Sequence, residues 1–154
     1  MILASEEQIR AYTELGCWGT KTLLEDFFEQ AKKTPERTAL VDPRNKEALL
    51  GVAPERVTYA DLARAVDGTA SALAASGIGK DDIVIVQLPN CWELAMLYLA
   101  IARAGATIFP IPLQWRSKEL APGRSYWSGP RSWVSGPMSW MPTRACTAES
   151  CSRR

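Results

Sequence analysis

Few side chains in this sequence have the chemistry that catalysis or metal binding needs. The chain contains no histidine, and histidine is the commonest general base and metal ligand near neutral pH. A Ser–His–Asp triad and any histidine-containing zinc site are therefore excluded. No Cys-x-x-Cys pair occurs either, so neither a zinc ribbon nor a redox motif is predicted from the four cysteines, which are Cys17, Cys91, Cys146 and Cys151.

The segment ASGIGKDD contains a Gly-Lys pair, Gly79 and Lys80, of the kind that binds phosphate. A phosphate loop needs glycine five residues before Gly79 and a hydroxyl side chain after Lys80 to hold magnesium. Ala74 and Asp81 occupy those positions. Asp82 likewise stands where a dinucleotide fingerprint requires its third glycine. We interpret the segment as a turn between a helix and a strand.

Three carboxylates and one thiol are the remaining candidates for chemistry. Asp81 and Asp82 are adjacent at the start of a strand, so their side chains point to opposite faces and do not converge. Glu93 has capping-box spacing from Asn90, which accounts for it without catalysis. Cys91 lies at a predicted helix start, where the helix dipole lowers a thiol pKa, but the chain lacks a base to activate it. We therefore predict no catalytic, cofactor-binding or metal-binding residue.

Helices and strands alternate along the middle of the chain. Thr22 and Glu25 have capping-box spacing before an amphipathic helix, and four β-branched residues at positions 83–86 predict a strand covered on both faces. A helix from Cys91 to Ala104 and a strand near Pro110 follow. The order strand, helix, strand predicts an α/β fold with βαβ units and parallel strands. Residues 1–19 form an extension with a short helix, and residues 42–55 are predicted to be a loop.

Charge and hydropathy restrict the partners and the location. The net charge is +1, with five arginines and one glutamate in residues 121–154 (+4) and −3 elsewhere. The body therefore lacks the basic excess typical of nucleic-acid binding. Glu93 and Arg103 interrupt the longest apolar run, so no membrane span is expected. Glu6 and Glu7 do not fit a signal peptide. We expect a reduced, cytoplasmic protein.

The order of these features resembles the N-terminal part of the adenylate-forming enzymes, the AMP-dependent synthetase/ligase family that includes the acyl-CoA synthetases. The resemblance covers residues 20–120, through FFEQAKKTPERTALVD and the segment from RVTYADLARAV to ATIFPIP. The matching positions include Thr58, Tyr59, Leu62, Gly77, Asp82, Val84, Leu88, Pro89, Asn90, Glu93, Ala100, Gly105, Ala106 and Pro110. Asp81, where glycine is common in the family, is a departure.

The resemblance implies a reaction in two steps. A carboxylate attacks the α-phosphate of ATP with Mg²⁺ assistance to give an acyl-adenylate and pyrophosphate, and a thiol, usually coenzyme A, then takes the acyl group. The segment PLQWRSKEL favours an aromatic, alicyclic or medium-chain acid as the substrate. ATP, Mg²⁺ and coenzyme A are thus implied for the full-length family.

The resemblance stops before the family's catalytic segments. The Ser/Thr/Gly loop that ends in Pro-Lys-Gly, the adenine- and ribose-contacting segments and the catalytic lysine have no counterpart after Pro112. Such a loop would hold phosphates through its backbone N–H groups. We therefore expect a catalytically incompetent fragment that binds none of these cofactors by itself.

Residues 121–154, here called the tail, change abruptly in composition. Ser, Arg, Gly, Pro and Trp dominate, and Leu, Ile, Phe, Lys and Asp are absent. This low-complexity composition predicts neither an amphipathic helix nor a strand. Three explanations stay open: a reading-frame change near Leu120, a disordered interaction segment, and single-stranded nucleic-acid binding through arginines and aromatic rings. The second makes the alternative function a non-catalytic interaction protein that acts through the tail.

Overall fold

The computed structural model describes residues 4–116 and the backbone of residues 131–135. The rest of the predicted tail lies outside the described residues. The elements in chain order are α1 (Glu6–Glu14), α2 (Leu23–Lys33), β1 (Thr38–Val41), α3 (Lys46–Leu50), β2 (Arg56–Thr58), α4 (Tyr59–Ala75), β3 (Ile83–Gln87), α5 (Trp92–Arg103), β4 (Thr107–Pro110) and β5 (Arg131–Ser135).

The predicted α/β architecture with parallel strands is confirmed. β3 lies between β4 and β5 in a three-stranded sheet and pairs parallel with both. α5 connects β3 to β4, so these three elements form the predicted βαβ unit. β1 and β2 make a separate antiparallel pair. No helix in the described part of the chain is long and apolar enough to cross a membrane.

The core lies between α4, α5 and one face of β3. Val84 and Val86 of β3 are fully buried in a cluster with the buried residues of both helices. Ile83 and Ile85 are only partly buried, because successive side chains of a strand point to opposite faces. The expectation that both faces of β3 are covered is therefore wrong among the described residues.

Two helices begin at capping boxes, and the one at α2 is the box that the sequence predicts. The Thr22 hydroxyl accepts a hydrogen bond from the Glu25 backbone N–H, and the Glu25 carboxylate accepts one from Thr22 N–H. Ser5 and Gln8 make the same arrangement at α1. α2 contributes to the core, but α1 buries none of its residues.

Two predictions about irregular segments are wrong. The predicted loop at residues 42–55 contains α3, a short helix that ends at Gly51 with a left-handed backbone. The tail, for which no strand is predicted, contains β5. Five residues free of proline suffice for β5, because the ladder with β3 uses backbone groups and requires no particular pattern of side chains.

Candidate binding site

A cleft of about 700 Å³ opens beyond the carboxyl ends of β3 and β4. Ligands of open parallel sheets bind at this edge, because the loops that leave the strands converge there. We call this the strand-end cleft. It is lined by Pro43, Asn45, Leu49, Leu88, Pro89, Asn90, Leu94, Tyr98, Pro110, Ile111, Pro112, Leu113 and Gln114.

The loop after β4 is tied to the end of β3. The Gln87 side-chain amide donates hydrogen bonds to the backbone oxygens of Pro112 and Trp115, both at 2.9 Å. Ile111 N–H donates to the Val86 oxygen at 2.9 Å and extends the ladder past Pro110, which has no N–H. These bonds give one wall of the strand-end cleft a defined position.

Three ionisable side chains that neighbour the lining residues Pro43, Asn45 and Leu94 in sequence contact one another, and we call them the Asp42 cluster: Asp42, Lys46 and Glu93. The Lys46 ammonium lies 2.6 Å from an Asp42 carboxylate oxygen and 2.5 Å from a Glu93 oxygen. The side chains of Asp42 and Lys46 are 0% and 1% exposed, and that of Glu93 is 17% exposed. Charges removed from water to this degree require partners, so each member depends on the others.

Asp42 also caps α5 from a distant part of the chain. Its carboxylate accepts hydrogen bonds from the backbone N–H groups of Trp92, at 2.8 Å, and Glu55, at 3.0 Å. Cys91, the residue that precedes α5, supplies no side-chain cap. Asp42 therefore satisfies an N–H at the start of α5 that would otherwise lack an acceptor and fixes the loop before it, which lines the strand-end cleft.

The predicted capping box of Asn90 and Glu93 is wrong. α5 begins at Trp92, so Glu93 is its second residue and is too early in the helix to act as the third-position partner of a cap. Its carboxylate binds Lys46 instead.

The cluster shifts the pKa values of Asp42 and Lys46 toward their charged forms. Burial opposes ionisation of Asp42, but hydrogen bonds from Lys46 and from the Trp92 and Glu55 N–H groups outweigh it and hold the pKa of Asp42 below its usual value. Burial likewise disfavours the ammonium of Lys46, yet hydrogen bonds to Asp42 and Glu93 raise the pKa of Lys46 above its usual value. Asp42 and Lys46 are therefore both charged at neutral pH.

Cys91 is buried rather than activated. Burial raises the pKa of the Cys91 thiol to about 11, and the Glu93 carboxylate adds to the increase. The lowering expected from the helix dipole does not prevail, because the side chain lies in a largely apolar recess of about 290 Å³ next to the cleft. With its pKa raised, the Cys91 thiol is a weak nucleophile in the folded chain.

This burial predicts a large difference in thiol reactivity. At pH 8 a thiol with a pKa of about 11 is ionised in about one molecule in a thousand. We expect iodoacetamide to modify exposed Cys17 in the native chain and to modify Cys91 only after unfolding in urea. Peptide mass spectrometry separates the two sites. Equal labelling of both cysteines in the native chain would contradict the buried position.

The Gly-Lys segment forms the turn that its sequence predicts. The Asp82 carboxylate accepts a hydrogen bond from Gly79 N–H at 2.8 Å, so a side chain already uses the backbone donor that a phosphate would need. Asp81 N–H donates to the Gly105 oxygen. Gly105 has φ +80°, and a Cβ there would lie 3.5 Å from the Lys80 Cα. A Cβ at that distance would be in ordinary van der Waals contact, so the left-handed backbone at Gly105, and not a lack of space, favours glycine there.

Sequence reasoning missed Asp42 and Lys46. Both belong to the segment interpreted as a loop, and their partners in α5 lie 47 and 50 residues away in the chain. The four-residue spacing of Asp42 and Lys46 was a signal for a local ion pair, but it carried no information about burial. Among residues 4–116, no group of three His, Cys, Asp or Glu side chains is arranged to hold a metal ion.

Comparison with known proteins defines the class of this fold. Residues 27–122 match the family described as AMP-binding enzyme. The chain is 38% identical over 111 residues to 2-hydroxy-7-methoxy-5-methyl-1-naphthoate–CoA ligase of Streptomyces carzinostaticus. The aligned region covers 71% of this chain and 18% of the relative. It is 30% identical over 116 residues to the medium-chain fatty-acid–CoA ligase of Escherichia coli K12, over 75% of this chain and 19% of the relative.

Solved structures agree with this class. The apo structure of Mycobacterium smegmatis MbtA is 31% identical, with a TM-score of 0.61 over 79% of this chain and 21% of that protein. The N-terminal subdomain of Klebsiella oxytoca NpsA shares the fold, with a TM-score of 0.56 over 68% of this chain and 25% of that one. The chain therefore belongs to the AMP-binding enzyme family and corresponds to the N-terminal part of an adenylate-forming enzyme. It spans less than a fifth of the length of the two ligases named above.

Proposed function

We propose that this chain is the N-terminal part of an ATP-dependent acid–CoA ligase. The observation that carries the proposal is the match of residues 27–122 to the AMP-binding family together with relatives named as acid–CoA ligases. The full-length enzyme would activate a carboxylic acid with ATP and Mg²⁺ and pass the acyl group to coenzyme A. Dependence on ATP and coenzyme A supports a cytoplasmic location.

The proposed acid is aromatic or of medium chain length. The Streptomyces carzinostaticus ligase is named for a substituted naphthoate, and the Escherichia coli ligase for medium-chain fatty acids. The sequence segment PLQWRSKEL favours the same classes. An acid of either class presents an apolar body that an uncharged pocket can bury.

We further propose that this polypeptide alone does not catalyse adenylation. Phosphoryl chemistry requires cations and backbone donors that are free to hold the nucleotide phosphates. In the described part of the chain, Lys46 is buried and its charge is balanced by Asp42 and Glu93, and Gly79 N–H is occupied by Asp82. Neither of these groups is available to ATP.

Pyrophosphate exchange tests this proposal. We expect no acid-dependent incorporation of labelled pyrophosphate into ATP by the purified chain, with decanoate or naphthoate as the acid. The Escherichia coli medium-chain ligase with decanoate is the positive control. Exchange that depends on the added acid and copurifies with this chain would contradict the assignment.

The coding DNA offers an independent test of whether the gene encodes the rest of a ligase in another reading frame. Translation of the other two frames after codon 120 is expected to continue as a helix, a strand and then a Ser/Thr/Gly loop. That result would explain the composition of the tail by a frame change. Absence of such a segment in both frames would favour a tail with its own function, and deletion of residues 121–154 would then be expected to abolish a partner interaction.

A further inference from the structure

Residues 112–116 form part of the wall of the strand-end cleft, and we call them the strap. Trp115 N–H donates a hydrogen bond to the Pro112 oxygen at 3.1 Å, which closes a tight turn within the strap. The Arg116 guanidinium donates to the Leu113 oxygen of the same turn. Every residue of the strap is exposed, and three of them line the cleft. The strap therefore borders the cleft without belonging to the core.

A single side chain connects the strap to the end of β3. The Gln87 amide nitrogen donates one N–H to the Pro112 oxygen and the other to the Trp115 oxygen, so it bridges both ends of the turn. The backbone ladder with β3 stops at Ile111, because Pro112 has no N–H with which to continue it. In the part of the chain that the structure describes, no other hydrogen bond joins this turn to the fold.

The strap has the properties of a segment that opens locally. Two hydrogen bonds between uncharged groups contribute little net stability, and segments with exposed backbone and few buried apolar contacts open while the core stays folded. Freeing five residues also gains conformational entropy that one turn hydrogen bond does not outweigh. Ile111, which precedes the strap, is buried and its N–H binds the Val86 oxygen, so the motion has a fixed pivot.

We propose that the strap is a movable wall of the strand-end cleft and that Gln87 is the residue that holds it closed. When both bonds of the Gln87 amide break, the turn opens, the strap moves away from the end of β3 beyond Ile111, and the cleft widens from its closed volume of about 700 Å³. A wall that opens without unfolding the core lets a ligand enter and leave the cleft. The inference concerns the folded chain and is independent of the ligase assignment.

Amide hydrogen exchange of the full chain, resolved by NMR, tests the movable wall. The Trp115 N–H reports the strap, because it is bonded only while the turn is closed. The N–H of Leu97, a fully buried residue of α5, reports the core. In the unsubstituted chain we expect urea below the unfolding transition to leave Trp115 exchange unchanged and to speed Leu97 exchange. The same urea dependence at both sites would overturn the proposal, since the strap would then open only with the core.

Gln87→Met isolates the role of the amide, because methionine has a similar length and volume but no donor. We expect this variant to speed Trp115 N–H exchange on the order of tenfold and to leave Ile111 and Leu97 exchange unchanged. An unchanged Trp115 rate would show that Gln87 does not hold the strap. Faster exchange at all three sites would also overturn the proposal, since Gln87 would then stabilise the whole fold.

Gln114→Met is the matched control. It makes the same chemical change within the strap, but among the described residues the Gln114 side chain forms no hydrogen bond, and it is exposed. We expect Trp115 N–H exchange in this variant to equal that of the unsubstituted chain. Acceleration equal to that of Gln87→Met would contradict the specific role of the Gln87 amide.

Discussion

Replacing Lys46 by methionine is expected to lower the free energy of unfolding by about 3–5 kcal/mol. Methionine fills a similar volume but leaves Asp42 and Glu93 facing each other without the cation that both contact at 2.5–2.6 Å. Because Asp42 is fully buried, water cannot replace the ammonium. Urea denaturation followed by circular dichroism measures the loss through the transition midpoint.

Lys33→Met on α2 is the matched control. Lys33 also forms an ion pair, with Glu29 at 2.5 Å, but its side chain is 64% exposed. Exposed pairs contribute little, so the transition of this variant should stay near that of the unsubstituted chain. A Lys46→Met transition indistinguishable from that of Lys33→Met would contradict the role given to the cluster.

Lys46 also gives stability a dependence on alkaline pH. Its pKa is raised in the folded chain, so the stability that it contributes is complete below its ordinary pKa of 10.5 and is lost as the pH rises through the higher folded value. Lys46→Met should lack this alkaline loss.

The second large effect is expected for Asp42→Ala, also with a loss of about 3–5 kcal/mol. The substitution removes the acceptor of three hydrogen bonds, from Lys46 and from the backbone N–H groups of Glu55 and Trp92. Both the start of α5 and the loop that lines the strand-end cleft lose their anchor. Asp26→Ala, at an exposed position in the first turn of α2, is the control and should change the urea midpoint little.

Acid titration separates the charge of Asp42 from its packing. The folded pKa of Asp42 is below its ordinary value of 3.8, so its contribution is present above that value and is lost as the pH falls through the folded pKa. Asp42→Asn keeps the shape of the side chain and should flatten the acid part of the stability profile relative to the unsubstituted chain. An unchanged acid slope would show that Asp42 is not ionised in the fold.

Local patterns predicted the elements that local forces determine. Thr22 and Glu25 cap α2 as their spacing indicates, and the β-branched run at residues 83–86 lies within β3. The Gly79 turn likewise follows from its own residues, since Asp82 satisfies the Gly79 N–H. Each of these features depends on residues that are close in sequence.

The candidate site depends instead on contacts between distant residues. Glu93 has capping-box spacing from Asn90, but a helix start one residue later than predicted directs its carboxylate to Lys46. α3 is only five residues long and has no side-chain cap, so its pattern does not distinguish it from a loop. The tertiary position of α5 decides which residue Glu93 binds and whether α3 forms, and no local spacing encodes that position.

Calorimetric titration with ATP tests most directly whether this polypeptide alone can hold a nucleotide. With magnesium present, we predict no saturable heat for the purified chain up to millimolar ATP, because the Lys46 charge is balanced by two carboxylates and the Gly79 N–H is taken by Asp82. A parallel titration without magnesium should look the same. Saturable, magnesium-dependent binding at micromolar ATP would contradict the account.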